Sequence, residues 1–177
     1  MIYGNRIRLR AIERKDLPLF VTWLNDPEII KGLLFYRPLA IEDEEAWFEN
    51  MLKSPLDERP FMIEVHTEED AWTSIGDLGL SKIDWRVRSA ELGIFIGEKS
   101  YWNQGYGSEA VHLLLKYGFR TLNLNRIFLR VYADNLRAIR SYEKVGFVNE
   151  GILRQAHFDD GKYIDARIMS VLNSEYA

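Results

Sequence analysis

One stretch governs how this chain can fold. Past an apolar run that reads as a strand, Ala90 to Ile96, lies Gly105-Tyr106-Gly107-Ser108-Glu109-Ala110, which opens the clearest amphipathic helix. From Gly105 to Thr121 the residues Ala110, Leu113, Leu114 and Tyr117 fall along one side. Glycines at a helix start let backbone N–H groups approach an anion closely, and the helix N-terminus adds a favourable dipole. The spacing alone describes a structural tight turn equally well.

The same residues also match the G-x-G-x-x-A fingerprint of dinucleotide-binding folds, and Asp134 follows as a candidate ribose-binding acid. The context argues against it. Gly97 through Gln104 separate the strand end at Ile96 from the first glycine, where the fingerprint needs a tight turn straight off the strand. The motif sits mid-chain, with too little sequence after it for a second mononucleotide half. Asp134 also lies further on than the pattern prefers.

The remaining chain reads as one domain, 1–177, without repeats or Gly/Ser linkers. Strands are predicted over Ile7–Ala11, Phe61–His66, Ser74–Ile83, Ala90–Ile96, Arg126–Tyr132, Phe147–Phe158 and Lys162–Leu172, with turns at Glu68-Glu69-Asp70 and Asp159-Asp160-Gly161. Helices are predicted over Asp16–Asn25, stopped by Asp26-Pro27, and over Glu42–Lys53 and Leu136–Lys144. This order implies an α+β fold with helices on both faces of the sheet.

Composition narrows the chemistry. The 177 residues contain no cysteine, which removes disulfides, thiolate metal sites and a Cys acyl-enzyme. His66, His112 and His157 are far apart and lack metal-ligand spacing, so no metal is expected. A net charge of −4 argues against nucleic acid as a partner. With neither a basic apolar leader nor a long uncharged apolar run, the chain is expected to be cytoplasmic and to have no membrane partner. The acidic group Glu42, Asp43, Glu44 and Glu45 suits a helix start, and Glu68, Glu69 and Asp70 suit an exposed turn.

A second block runs from Asn135 to Phe147. Asn135 stands at a helix start, where its side chain can cap the helix or bond a ligand amide. Tyr142 lies two helical turns on, near the same face, and Gly146 is the expected C-terminal stop. An ordinary capped amphipathic helix with Tyr142 half-buried accounts for this block as well.

Together the two blocks resemble the GNAT superfamily of N-acetyltransferases. The closer likeness is to the branch holding ribosomal-protein N-terminal, spermidine/spermine and some amino-sugar N-acetyltransferases. Tyr101 to Ala110 is similar to that branch's pyrophosphate loop, and Asn135, Ala138, Tyr142, Gly146 and Phe147 match its N-x-x-A-x-x-x-Y-x-x-x-G-F block. The resemblance extends from Ile7-Arg8-Leu9-Arg10 to Met169-Ser170-Val171-Leu172 and is strongest from Ala90 to Gly151. One departure is Trp102, where the superfamily usually carries Arg or Gln; an indole cannot supply the usual polar contact there.

The resemblance implies a mixed, mostly antiparallel sheet of six or seven strands, its central strands splayed at a cofactor cleft. It implies acetyl-CoA as acetyl donor, with pyrophosphate contacts from Gln104, Gly105, Tyr106, Gly107 and Ser108. The strand Ile94-Phe95-Ile96 would pair with the pantetheine arm, Asn135 would bond its amides, and Tyr142 would stand by the sulfur. A homodimer is compatible with it.

Amine attack on a thioester needs a proton acceptor, because an alkyl amine arrives protonated. Glu91 is the leading candidate, directly or through water. It reads alternatively as a strand-end carboxylate paired with Arg86 or Arg88. Tyr142 can protonate the leaving thiolate, and backbone N–H groups near Phe95 and Ile96 can polarise the carbonyl. Without a cysteine or a Ser–His pair, direct transfer is expected. The acceptor, a small-molecule amine or a peptide N-terminus, falls to the N-terminal helices and to Ile29–Pro38, where Leu33, Leu34, Phe35, Tyr36 and Arg37 line a pocket or fill core. Asp77, Asp84 and the Asp159-Asp160-Gly161 hairpin are further candidates. A non-catalytic acyl-CoA-binding module is the competing reading.

Overall fold

Alternation within a single strand decides which helices lie on which face of the sheet. In β3 (Phe61–His66), Ile63 and Val65 join a buried cluster with Ala110, Leu113, Leu114 and Phe119. Met62 points the other way, into a second cluster with Phe20, Trp23, Phe48 and Met51. The period of two that distinguishes the faces of a strand therefore builds two cores on one sheet. The computed structural model describes residues 1–33, 36–67 and 71–176.

In chain order, β1 (Ile2–Tyr3), β2 (Ile7–Ala11), α1 (Leu17–Leu24), α2 (Pro27–Ile30) and α3 (Ile41–Lys53) precede β3. Then come β4 (Trp72–Asp84), β5 (Ser89–Ile96), α4 (Tyr106–Arg120), β6 (Arg126–Tyr132), α5 (Leu136–Val145), β7 (Val148–Asp159) and β8 (Lys162–Leu172). They form one sheet in the order β1-β2-β3-β4-β5-β6-β8-β7. Only β5 and β6 run parallel; the other neighbouring pairs are antiparallel.

The sheet has eight strands, not six or seven. The extra one, β1, pairs Ile2 with Leu9 and Tyr3 with Arg8, and two residues are too few to show alternation. Asp26-Pro27 does end α1, yet it also starts the single turn α2. Pro27 occupies its first turn, where its missing N–H costs nothing, and Asp26 Oδ1 accepts from the Glu28 N–H at 2.9 Å. The expected turn at Glu68-Glu69-Asp70 lies outside the described residues. Among those described, no helix is long and apolar enough to cross a membrane.

Buried charge ties the N-terminal half together. Arg10 on β2 bonds Glu64 of β3 at 2.7 Å and Asp16, just before α1, at 2.7 Å, and all three are buried. Such a fork of charge-assisted bonds fixes where α1 leaves the sheet.

Asp77 is the opposite case. It lies on the α1/α3 face of β4, opposite Phe95 and Met62, and its carboxyl forms no hydrogen bond or ion pair among the described residues. Burial, and secondarily the charge of Glu44 on α3, push it up to about 7. Glu44 is itself buried and shifted upward, by burial and then by Asp43. An unfolded Asp loses its proton near pH 4, whereas folded Asp77 holds it to about 7. Stability therefore falls as pH climbs through that window and stays reduced above it. Asp77→Asn keeps the shape without the charge. It should raise stability by about 2 kcal/mol at pH 8 and change little at pH 4, as read by denaturant melts at the two pH values.

Candidate active site

β5 and β6 run together for only three residues. Ser89 pairs with Arg126, Ala90 with Ile127 and Glu91 with Phe128, and there the pairing stops. Beyond it β5 stays bonded to β4 as far as Gly76 opposite Ile96, and β6 stays bonded to β8 as far as Tyr132 opposite Ala166. Each strand thus follows its outer neighbour, and the two part. The gap is a cleft of about 880 Å³. Leu92 to Ile96 line one wall, and Arg130, Val131 and Tyr132 line the other.

The N-terminus of α4 forms one end of this cleft. Gly105 sits at φ 85, left-handed backbone that favours glycine, and turns the loop into the helix. Gly105, Tyr106, Gly107 and Ser108 all reach the cleft wall. Glu109 braces the turn from behind, accepting from the Asn5 and Arg6 N–H groups at 3.0 and 2.9 Å and pairing with the Arg6 guanidinium. Gln104 is not brought to the wall: its carbonyl accepts from Arg6 and its amide donates to the Ser100 carbonyl. Trp102 takes a role the sequence did not suggest. Its indole N–H donates to the Ile96 carbonyl at 2.8 Å, and the Arg137 guanidinium lies over its ring at 4.5 Å.

α5 supplies the facing wall. Asn135 caps it, Oδ1 accepting from the Ala138 N–H at 3.2 Å, and Gly146 ends it at φ 103. Ser141 shares a 2.7 Å hydrogen bond with Ser108, fastening α5 to the first turn of α4. Tyr142 lies on the same wall, and burial pushes its hydroxyl up to about 12. It therefore remains a proton donor across the physiological range.

Glu91 stands where the strands part. Its two oxygens are taken by Arg130 at 2.7 Å and Lys82 at 2.7 Å, not by Arg86 or Arg88. Burial alone would push this carboxyl up, but bonds and charges from Arg130 and Lys82 outweigh it and hold the group below the usual carboxylate range. Asp84 serves a turn, accepting from the Arg86 and Val87 N–H groups, and Asp77 does not line the cleft.

Lys31, Gly32, Leu33, Tyr132 and His157 also line the cleft. The Tyr132 hydroxyl donates to the Leu33 carbonyl at 3.2 Å, and the His157 ring packs edge-on against Tyr132 at 4.3 Å. Leu33 both lines the cleft and packs on the second core; Tyr36 is exposed; Leu34 and Phe35 lie outside the described residues. The site therefore brings together Glu91, Ile94, Phe95, Ile96, Gly105, Tyr106, Gly107, Ser108, Asn135 and Tyr142. Sequence reasoning missed Lys82, Arg130, Tyr132, Ser141 and His157. Arg130 and Tyr132 share a face of β6 by alternation, a signal that marks neither as functional by itself; the pairing of Arg130 with Glu91 needed the strand order.

Comparison with known proteins agrees with this geometry. The model of the acetyltransferase (GNAT) domain family matches residues 6–148. A spermidine N(1)-acetyltransferase of Vibrio cholerae is 35% identical over 174 residues, covering 98% of this chain and 96% of that protein. An uncharacterized N-acetyltransferase, p20, of Bacillus licheniformis is 32% identical, covering 99% and 98%. The crystal structure of a Vibrio cholerae spermidine N-acetyltransferase with CoA and spermine superposes with a TM-score of 0.86 at 32% identity, covering 98% of this chain and 99% of that one. The chain belongs to the GNAT family of acetyltransferases and is an N-acetyltransferase.

Proposed function

We propose that this enzyme transfers acetyl from acetyl-CoA directly to a primary amine. Polyamines are the first acceptors to test, ahead of amino sugars, other small amines and peptide N-termini. The observation that carries the reading is the cleft itself: an unpaired strand edge with a helix N-terminus at one end and a half-buried tyrosine on the α5 wall. The relatives named spermidine N-acetyltransferases support the choice of polyamine.

The residues present suit the donor. The β6-facing edge of Ile94, Phe95 and Ile96 has no strand partner, and an extended pantetheine arm with its two amides can occupy it as an added strand does. The backbone of Gly105 to Ser108 offers N–H groups and the helix dipole to the pyrophosphate. Arg137, Arg140 and Lys144 line the same region and add positive charge. Asn135 uses Oδ1 on its cap, which leaves its amide N–H groups for the arm.

Holding donor and acceptor together in one cleft supplies several kcal/mol of the barrier. Glu91, kept ionised by Arg130 and Lys82, draws the ammonium inward as a counter-charge, and the ammonium gives up a proton to a base before it attacks. The amine lone pair attacks the thioester carbonyl carbon, the C–S bond breaks, and the Tyr142 hydroxyl meets the departing thiolate.

Calorimetric titration should show acetyl-CoA binding and no heat with NADH; a chain that binds no acetyl-CoA would overturn the reading. Tyr142→Phe should lower kcat about 100-fold while acetyl-CoA affinity stays within about twofold, as followed by thiol release and calorimetry. Full activity in that variant would remove Tyr142 from the chemistry. Glu91→Gln should lower kcat/KM for the amine at least about 10-fold and leave the acetyl-CoA Kd little changed, measured with spermidine as acceptor.

A further inference from the structure

The reaction needs a free lone pair near the acceptor, and Glu91 offers a poor one. Both its oxygens accept bonds from cations, and its proton affinity is reduced. A different basic group lines the same cleft. His157 lies on β7 just past an irregularity in its register with β8, between Leu153 and His157, where the local bend re-aims the strand. The half-buried imidazole lines the cleft beside Tyr132, whose hydroxyl in turn reaches the carbonyl of Leu33, in the stretch expected to meet the acceptor. His157 itself makes no hydrogen bond or ion pair among the described residues; its ring packs on that of Tyr132.

We propose that His157 is a catalytic residue on the acceptor side, the base that takes the first proton from the incoming ammonium. This rests on the acetyl-transfer reading above. The ammonium gives one N–H proton to the imidazole lone pair, and the freed nitrogen attacks the thioester carbon. Collapse of the adduct breaks the C–S bond, and its second N–H proton ends on the thiolate by way of Tyr142. The imidazolium returns its proton to solvent, so the cycle releases one proton per acetyl transferred. Glu91 then acts as the counter-charge that draws the ammonium in.

The surroundings keep this base in its working form. Desolvation, and secondarily the positive charge of Arg130, hold the imidazole below the usual histidine range. Tyr132 and Arg130 face it from β6, Asp159 and Asp165 belong to its own hairpin, and Lys31 and Glu91 line the cleft it borders. Arg130 also disfavours the imidazolium, which speeds its discharge to solvent.

The test compares wild type with His157→Phe and His157→Gln, using spermidine and acetyl-CoA across pH 5 to 9. Phe keeps a ring to pack on Tyr132 but has no lone pair, so it separates chemistry from packing. The expected result is a loss of kcat of at least about 30-fold in both variants, with acetyl-CoA affinity within about twofold. An acid limb of kcat in wild type should fall at the pH where NMR titrates His157, one of only three histidine signals, and should vanish in both variants. His157→Phe turning over like wild type at every pH would overturn the inference alone and leave Glu91 with water as base. A wild type that releases no thiol with any amine would overturn the proposed function, and this inference with it.

Discussion

The architecture turns on backbone groups that the sheet leaves unpaired. A buried N–H or C=O without a partner costs about 1–3 kcal/mol, and most sheets avoid the cost by pairing neighbouring strands throughout. Here β5 and β6 stop pairing at Glu91, and several residues of each strand face a gap. Each strand bonds its outer neighbour, β4 or β8, which satisfies the groups on that side, while the groups on the gap side open onto the cleft. What remains open is an edge shaped for an extended, amide-bearing ligand. The two helices that follow these strands border the gap together, and the serine pair Ser108–Ser141 locks them to each other.

Electrostatics divide the cleft into two regions. The chain carries a net charge of −4, yet Lys31, Arg130, Arg137, Arg140 and Lys144 line the cleft against only Glu28 and Glu91. Both carboxylates are offset, Glu28 by Lys99 and Glu91 by Arg130 and Lys82. Local field thus has the sign opposite to that of the whole molecule, as suits a polyanionic donor.

Much of this was legible in the residues. The strands Phe61–His66, Arg126–Tyr132 and Lys162–Leu172 have the bounds their alternation implied, because each buries one face against a helix or core. The glycine turn and the Asn135 cap were visible because they rest on local backbone chemistry. β1 was not, since two residues carry no period. Nor was the placement of β8 between β6 and β7, which depends on contacts across the sheet. His157 escaped notice for a related reason. Most of its strand is exposed, so no hydrophobic pattern singles out the one residue that a register irregularity turns toward the cleft. Glu91 does line the cleft, but its partners Lys82 and Arg130 come from the two flanking strands and could not be inferred from position in the chain.

Trp102 makes the two walls of the cleft one mechanical unit. Its indole N–H holds the end of β5 through the Ile96 carbonyl while its face carries Arg137 of α5. A shift in either wall is thereby felt by the other, and perturbations at Arg137 and at the end of β5 are not independent. Their effects on donor affinity will depart from simple addition, with Trp102 as the coupling element. A residue without the indole would lose both contacts at once, so strand end and helix would no longer be held through one side chain.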